Sequence, residues 1–330
     1  MSTSNQHLAR YVTTLGQHLL QHFGERVHKV SIDAGFTCPN RDGTLGVGGC
    51  SFCNNDSFVP EHGVNPAVGA QVDTGLAAVL KVTRARKVLA YFQAYTNTYA
   101  ETEVLRRLYE EALQQPAVVG ISVGTRPDCV PDRVLDLLQE IQDKGYLVWL
   151  ELGLQSAFDG TLAAINRGHG WASYEDAVQR AHQRGLDVCA HLIVGLPGEG
   201  PDHALISLKR VLDLGVEGLK IHPLHIVKNT RLAFEWKKGL YQPWTQEAYM
   251  DCAIDMIRRT PPEVVFHRVT GTASRDILLA PDWCAHKWPV MNGITARMAE
   301  QGWHQGDRAD ATDWPVEPEG SRVQAVRWVV

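Results

Sequence analysis

The chain has 330 residues, 44% of them hydrophobic and 21% charged, and a formal net charge of −5. These values are typical of a globular protein with one large domain or two ordinary ones, and they exclude a low-complexity chain. The negative charge argues against non-specific binding to nucleic acid or to anionic membranes. No apolar run approaches the roughly 18 residues that span a bilayer, and the N-terminus does not form a secretory signal. We therefore expect a cytoplasmic protein without a membrane partner, whose odd number of cysteines, seven, stays reduced.

Strands alternate with amphipathic helices along most of the chain, after an N-terminal helical segment at residues 1–27. Near-continuous apolar runs predict the first three strands at residues 28–35, 87–93 and 117–125. Three further apolar runs each follow a glycine that stands where a helix ends, at Gly145, Gly185 and Gly215. This alternation, about six times over, predicts parallel strands joined by right-handed crossovers.

Both a doubly wound sheet and an open barrel fit this α/β pattern. Polar side chains end the successive strands, namely Cys38, Gln93, Arg126 with Asp128, Glu151 with Gln155, His191, and His222 with His225. A barrel builds its site from all its strand ends, whereas a doubly wound sheet uses one switch point. We therefore predict a partial (β/α)6 TIM-like barrel at residues 28–260. A short C-terminal extension at 261–330 would pack on it, and residues 260–271 are a candidate for a further strand.

Three cysteines lie close together in the stretch CPNRDGTLGVGGCSFC, at Cys38, Cys50 and Cys53. In a reducing compartment such thiols bind metal more often than they form disulfides. A structural zinc ion requires four ligands, and the nearest candidates, His28 and His62, give no familiar spacing. An iron–sulfur cluster suits the glycine-rich loop, and three thiolates on four irons would leave one iron open. The spacing alone leaves a cluster, a zinc site and ordinary packing as alternatives.

The cysteine loop, with Phe52 directly before Cys53, resembles that of the radical S-adenosylmethionine (SAM) superfamily, whose usual spacing, C-x3-C-x2-C, has a shorter first gap. LELGLQSAFDGTLAAINRGH (150–169) resembles segments of the Elongator catalytic subunit and of oxygen-independent coproporphyrinogen oxidase. HLIVGLPGE (191–199) resembles the superfamily's adenine motif, and GTRPD (124–128) and LKIHPLHIVKNTRL (219–232) resemble Elongator segments. AYFQAYTNTYAE and VGTRPDCVPDRVLDLL are similar to the YhcC-type radical SAM proteins.

The resemblance implies an enzyme in which Cys38, Cys50 and Cys53 hold a [4Fe–4S] cluster whose open iron binds SAM. Reductive cleavage of SAM would then start radical chemistry, which implies an electron donor such as flavodoxin or ferredoxin. An arginine suits the carboxylate of SAM, polar acceptors suit its ribose, and an apolar slot suits its adenine. The residues expected in these roles are Arg167 for the carboxylate, Glu151 and Gln155 for the ribose, and Phe52, Ile193 and Gly195 for the adenine, with Gln93 and Thr96 expected at the amino group.

Arg126, Asp128, His222 and His225 are candidates for the substrate side, and Cys284 is a candidate hydrogen donor or second metal ligand. Both histidines reach the mouth only if the intervening proline turns the chain. The Elongator resemblance suggests an RNA base as substrate, and the oxidase resemblance suggests a small molecule.

The basic residues and the C-terminal tryptophans allow two interpretations. They form an RNA-binding surface on which the tryptophans stack with bases, or the basic residues lie on solvated helix faces and the tryptophans pack as a cap. A non-catalytic zinc or Fe–S binding module is the alternative function.

Overall fold

A computed structural model describes residues 8–54 and 67–317. Seven parallel strands form one curled sheet in which the spatial order follows the chain order. They are β1 Val27–Ile32, β2 Lys87–Phe92, β3 Val118–Thr125, β4 Leu147–Gln155, β5 Asp187–Val194, β6 Gly218–Pro223 and β8 Val265–Arg268. The short strands β7 Ile226–Val227 and β9 Leu278–Ala280 pair with each other outside this sheet. A doubly wound sheet would reverse this order at a switch point. The prediction of a partial barrel is therefore confirmed, and the candidate strand at residues 260–271 supplies the seventh strand.

Helices precede, connect and follow the strands, and those that connect consecutive strands of the sheet cover its outer face. They are α1 Leu15–Phe23, α2 Val68–Thr83, α3 Thr102–Leu113, α4 Asp132–Asp143, α5 Asp159–Ala164, α6 Trp171–His182, α7 Pro201–Asp213, α8 Arg231–Lys237, α9 Gln246–Arg259 and α10 Lys287–Gln301. Gly145, Gly185 and Gly215 have φ values of 91°, 67° and 77°, in the left-handed region that favours glycine after a helix. Within the described residues, no helix combines the length and the hydrophobicity that crossing a bilayer requires.

The bottom of the half-barrel is filled by α1. Leu15 and Leu19 pack there in a buried cluster with inward side chains of the sheet, among them Val27, Trp149 and Val265. The cluster closes the end of the barrel opposite the carboxyl ends of the strands. Ligands must therefore enter from the other end.

The C-terminal extension meets the N-terminal segment at the open edge of the sheet. The Gln305 side chain accepts a hydrogen bond from the Thr13 amide at 2.8 Å. Its amide group donates to the carbonyls of Pro261 and Val264 at 2.7 and 2.8 Å. The Phe266 amide of β8 donates to the Thr13 carbonyl at 2.8 Å. The two ends of the chain therefore hold β8 in place together.

Two C-terminal tryptophans stack on arginines of α9. The Arg258 guanidinium lies 4.1 Å from the Trp303 ring centre, and the Arg259 guanidinium lies 4.9 Å from that of Trp314. Aromatic faces that already carry a guanidinium are not free to stack on a base. This geometry favours the tryptophan-packed cap over an RNA-binding surface at these residues.

Candidate active site

A cavity of about 230 Å³ opens at the carboxyl ends of the strands. The predicted site residues in its wall are Cys38, Cys50, Phe52, Cys53, Gln93, Thr96, Arg126, Gln155, Arg167, His191, Ile193, His222 and His225. Residues from both halves of the sheet thus converge on one mouth, as the strand-end pattern predicted. Asp128, Glu151, Gly195 and Cys284 are absent from this wall. His62, considered as a zinc ligand, lies outside the described residues.

The cysteine loop is held in shape by its own main chain. The Cys38 carbonyl accepts hydrogen bonds from the amides of Arg41 and Asp42 at 2.8 and 3.2 Å. The Arg41 guanidinium donates to the Cys53 carbonyl at 2.8 Å. Gly49 has a φ of 82°, and a Cβ there would lie 2.9 Å from Arg41 Nε. The glycines therefore allow a fold that brings the distant Cys38 and the Cys50–Cys53 pair to one wall.

Two side chains donate towards the Cys50 sulfur. Arg167 lies 3.5 Å and Asn40 Nδ2 lies 3.7 Å from Cys50 Sγ. Burial raises the pKa of the Cys53 thiol to about 11, so a metal centre must displace its proton on binding. Hydrogen bonds to sulfur are a recurrent feature of Fe–S sites. Asn40 was not among the predicted residues, because an asparagine in a loop carries no signal of its own.

A single metal ion bound by three thiols requires their sulfurs to lie close together. Zinc binds sulfur at about 2.3 Å, which brings its thiolates within roughly 4 Å of one another. Among the described residues, the one group of ligand-type side chains within 4.8 Å of one another is Glu151, Cys189 and His267. The sulfurs of Cys38, Cys50 and Cys53 are therefore not all within that distance of one another.

Arg167 occupies a central place between the thiols and the strand ends. Its guanidinium donates to the Gly153 carbonyl at 2.6 Å, and its Nε has no hydrogen-bond partner among residues 8–54 and 67–317. The Arg126 guanidinium donates to the Arg167 carbonyl at 2.8 Å and forks onto Asp128 at 2.8 and 3.0 Å. Asp128 therefore lies behind Arg126 and orients it.

Glu151 lies beneath the cavity at the centre of a buried polar cluster, which we call the floor. Its carboxylate pairs with Lys29 and with Lys220, the latter at 2.8 Å. Further contacts come from Ser122 at 2.6 Å, His191 at 2.7 Å and His267 at 3.2 Å. Burial alone would raise the pKa of Glu151, but the ammonium groups of Lys220 and Lys29 outweigh it and hold the pKa well below its usual range. With both oxygens engaged, Glu151 is not available to a ribose.

Between Glu151 and the cavity lie further polar groups of the floor that the sequence analysis did not predict. Lys220 Nζ donates to the Tyr91 hydroxyl at 2.5 Å. Lys220 and Arg268 are register partners on β6 and β8, and both line the cavity with Tyr91. Burial lowers the pKa of Lys220 to about 8 against the attraction of Glu151. A lone lysine inside an apolar strand, as in GLKIHP, is the signal that could have found this group.

His222 and His225 both face the cavity because the chain turns after Pro223, where β6 ends. A Cβ on Gly271 would lie 2.3 Å from His222 Nδ1, so the chain after β8 passes directly against this ring. Burial lowers the pKa of His225 to about 4, which keeps the ring neutral at pH 7. His225 Nε2 is buried and finds no hydrogen-bond partner within the described part of the chain.

The remaining predicted residues have separate environments. Gln93 donates to Ser31 Oγ at 2.9 Å, and the Thr96 amide donates to the Thr37 carbonyl at 3.2 Å. The Gly195 carbonyl accepts from the Tyr241 hydroxyl at 2.6 Å, which leaves Phe52 and Ile193 as the adenine candidates on the wall. Cys284 is buried in the extension, away from the cavity.

Comparisons with known proteins agree with this geometry. The sequence model of the Radical SAM superfamily matches residues 38–211, and that of the Radical SAM C-terminal domain matches residues 216–300. Protein YhcC of Escherichia coli (strain K12) is 50% identical over 89% of this chain and 94% of its own length. YtqA of Bacillus subtilis (strain 168) is 40% identical over 89% of this chain and 91% of its own length.

A solved structure has the same fold. The archaeal Elp3 of Methanocaldococcus infernus, lacking its N-terminus, aligns with a TM-score of 0.62 at 20% identity. The alignment covers 89% of this chain and 69% of that one. Its low identity shows the fold alone. The family match over more than half of the chain and the relatives at 50% and 40% identity establish that the protein belongs to the radical SAM superfamily.

Proposed function

We propose that the protein is an enzyme that reductively cleaves SAM at a [4Fe–4S] cluster held by Cys38, Cys50 and Cys53. The observation that carries this proposal is the convergence of the three thiols on one strand-end cavity, with Arg167 and Asn40 donating towards Cys50. When bound, the cluster supplies the electron that breaks a carbon–sulfur bond of SAM. An electron donor such as flavodoxin or ferredoxin and a cytoplasmic setting belong to the same proposal.

The residues of the wall divide the contacts to SAM among them. Arg167 has an unpartnered Nε and suits the carboxylate, while Gln155 suits the ribose. Phe52 and Ile193 provide apolar surface for the adenine, and Gln93 and Thr96 are the candidates at the amino group. We do not retain Glu151 as a ribose contact, since the floor occupies its carboxylate. Three side chains face the remaining space and are assigned to the substrate, namely Arg126, His222 and His225. Asp128 contributes indirectly, because it orients Arg126.

The substrate would share the cavity with the cluster and SAM, so its reacting part must be compact. A small molecule meets this condition, and so does a single base that is turned out of an RNA. Cys284 lies too deep in the extension to donate a hydrogen atom into the cavity without rearrangement. Nothing in the wall favours the alternative of a non-catalytic binding module, which would not need polar groups from so many strands.

The direct test is SAM cleavage by protein purified without oxygen and supplied with iron. We expect about four iron and four sulfide ions per chain. After reduction with dithionite, chromatography should detect 5′-deoxyadenosine formed from SAM. Stoichiometric zinc in an iron-replete preparation, or folded protein with a cluster that forms no 5′-deoxyadenosine, would contradict the proposal.

Replacing Arg167 by alanine is expected to weaken SAM binding by about 10- to 100-fold, because a charge-assisted hydrogen bond contributes about 1.5–3 kcal/mol. The cluster should remain, since the cysteines are unchanged. Equilibrium dialysis with labelled SAM measures the first effect and iron analysis the second. Arg106→Ala, at a surface ion pair with Glu140, is the control. Unchanged SAM affinity in Arg167→Ala would remove Arg167 from the proposed carboxylate contact.

A further inference from the structure

The floor carries more positive than negative charge. Lys29 and Lys220 both pair with Glu151, and Arg268 adds a third cation beside Lys220. Within residues 8–54 and 67–317, no carboxylate forms an ion pair with Arg268. Three cations therefore accompany one anion, and two of them, Lys220 and Arg268, line the cavity.

The N–H groups of Lys220 and Arg268 are only partly engaged in hydrogen bonds. An ammonium group has three N–H donors, and two of those on Lys220 are taken by Glu151 and by the Tyr91 hydroxyl. The Arg268 guanidinium, at the end of β8, offers a planar fork to the cavity. Arg268 has no ion-pair partner among the described residues and lies beside the buried Lys220, so an anion is the natural complement of this surface.

The proposed cofactors do not supply that anion. An oxidised [4Fe–4S] cluster with three thiolates carries one net negative charge, and SAM carries one net positive charge at neutral pH. The cation assigned to them in the proposed function is a different one, Arg167, which approaches Cys50. The cations of the floor are left for a third molecule.

We infer that the substrate is a small anion whose carboxylate or phosphate group is bound by Arg268 and Lys220. This inference rests on the proposed function and names the class of its substrate. The two cations would fix the anionic end at the floor, and the rest of the substrate would extend past His222 and His225 towards the cluster side. His225 Nε2, buried and unpartnered, is a neutral contact for a polar atom of that part.

The test uses reconstituted holoenzyme with SAM and two probes, inorganic phosphate and succinate, in titration calorimetry at constant low chloride. We expect at least one probe to bind saturably, one per chain, and the probe that binds identifies the anionic group as phosphate or carboxylate. Arg268→Gln should weaken this binding at least about ten-fold, and Arg268→Lys should restore part of it. Arg297→Gln removes a surface cation that pairs with Asp251 and should bind as the wild type does.

Three results would overturn the inference. They are the absence of saturable binding of either probe, unchanged binding in folded Arg268→Gln, and competition between the bound probe and SAM, which would assign the floor to the carboxylate of SAM. Saturable binding of bulk tRNA alone, without either small probe, counts as the first result. The same preparations are assayed for 5′-deoxyadenosine, so a failure of anion binding with normal SAM cleavage affects this inference and leaves the proposed function intact.

Discussion

Cys53→Ala is expected to lower the iron content from about four ions per chain to near zero and to abolish formation of 5′-deoxyadenosine. Two thiolates cannot hold a cluster that needs three. Iron and sulfide analysis, absorption spectroscopy and the cleavage assay measure these effects.

Cys252→Ala is the matched control for this prediction. Cys252 is a buried cysteine of α9, and it lies outside the cavity wall. Its variant should keep the cluster and the cleavage activity at wild-type levels, while a small loss of packing lowers stability slightly. A full cluster in Cys53→Ala, or loss of the cluster in both variants, would show that the thiols at the mouth are not the ligands.

Glu151→Gln is expected to lower the free energy of unfolding by about 3–5 kcal/mol, because removing one partner of a buried ion pair leaves the other charge uncompensated. The glutamine keeps the size of the side chain but leaves the ammonium groups of Lys29 and Lys220 without an anion. Urea denaturation of the anaerobic protein, followed by circular dichroism, gives the change.

A second variant separates charge from packing in this prediction. Glu151→Gln combined with Lys220→Met removes one anion and one cation together, so it should recover a part of the loss. Glu140→Gln, at the exposed ion pair with Arg106, should change stability by less than about 1 kcal/mol. A Glu151→Gln protein as stable as the wild type would show that the floor is not a stabilising charge cluster.

Much of the fold was predictable because apolar runs and helix-ending glycines are local signals. Polar residues at each strand end also located the mouth correctly, since parallel strands place their carboxyl ends on one side. The histidines at 222 and 225 both reach the cavity only because Pro223 turns the chain, which the sequence allowed but did not require.

The position of a side chain along the barrel axis was not predictable from the sequence. Alternation places Glu151 and Gln155 on one face of β4, yet four residues correspond to about 13 Å along a strand. Gln155 therefore reaches the cavity while Glu151 lies in the layer below it. The floor was missed for a related reason. Lys29, Lys220 and Arg268 come from strands that are far apart in the sequence, and no local motif connects any of them with the others.

The hydrogen bonds of Gln305 bear on the order in which the protein is completed during synthesis. Thr13 leaves the ribosome first, yet it is fixed by a side chain nearly 300 residues later, at Gln305. Thr13 also binds β8 through the Phe266 amide, and Gln305 binds the segment just before β8 at Pro261 and Val264. This junction can therefore form only after almost the whole chain has emerged. The loop between β1 and α2 that carries Cys38, Cys50 and Cys53 is thus translated early, whereas the contacts that fix the opposite edge of the sheet at β8 form only near the end of synthesis.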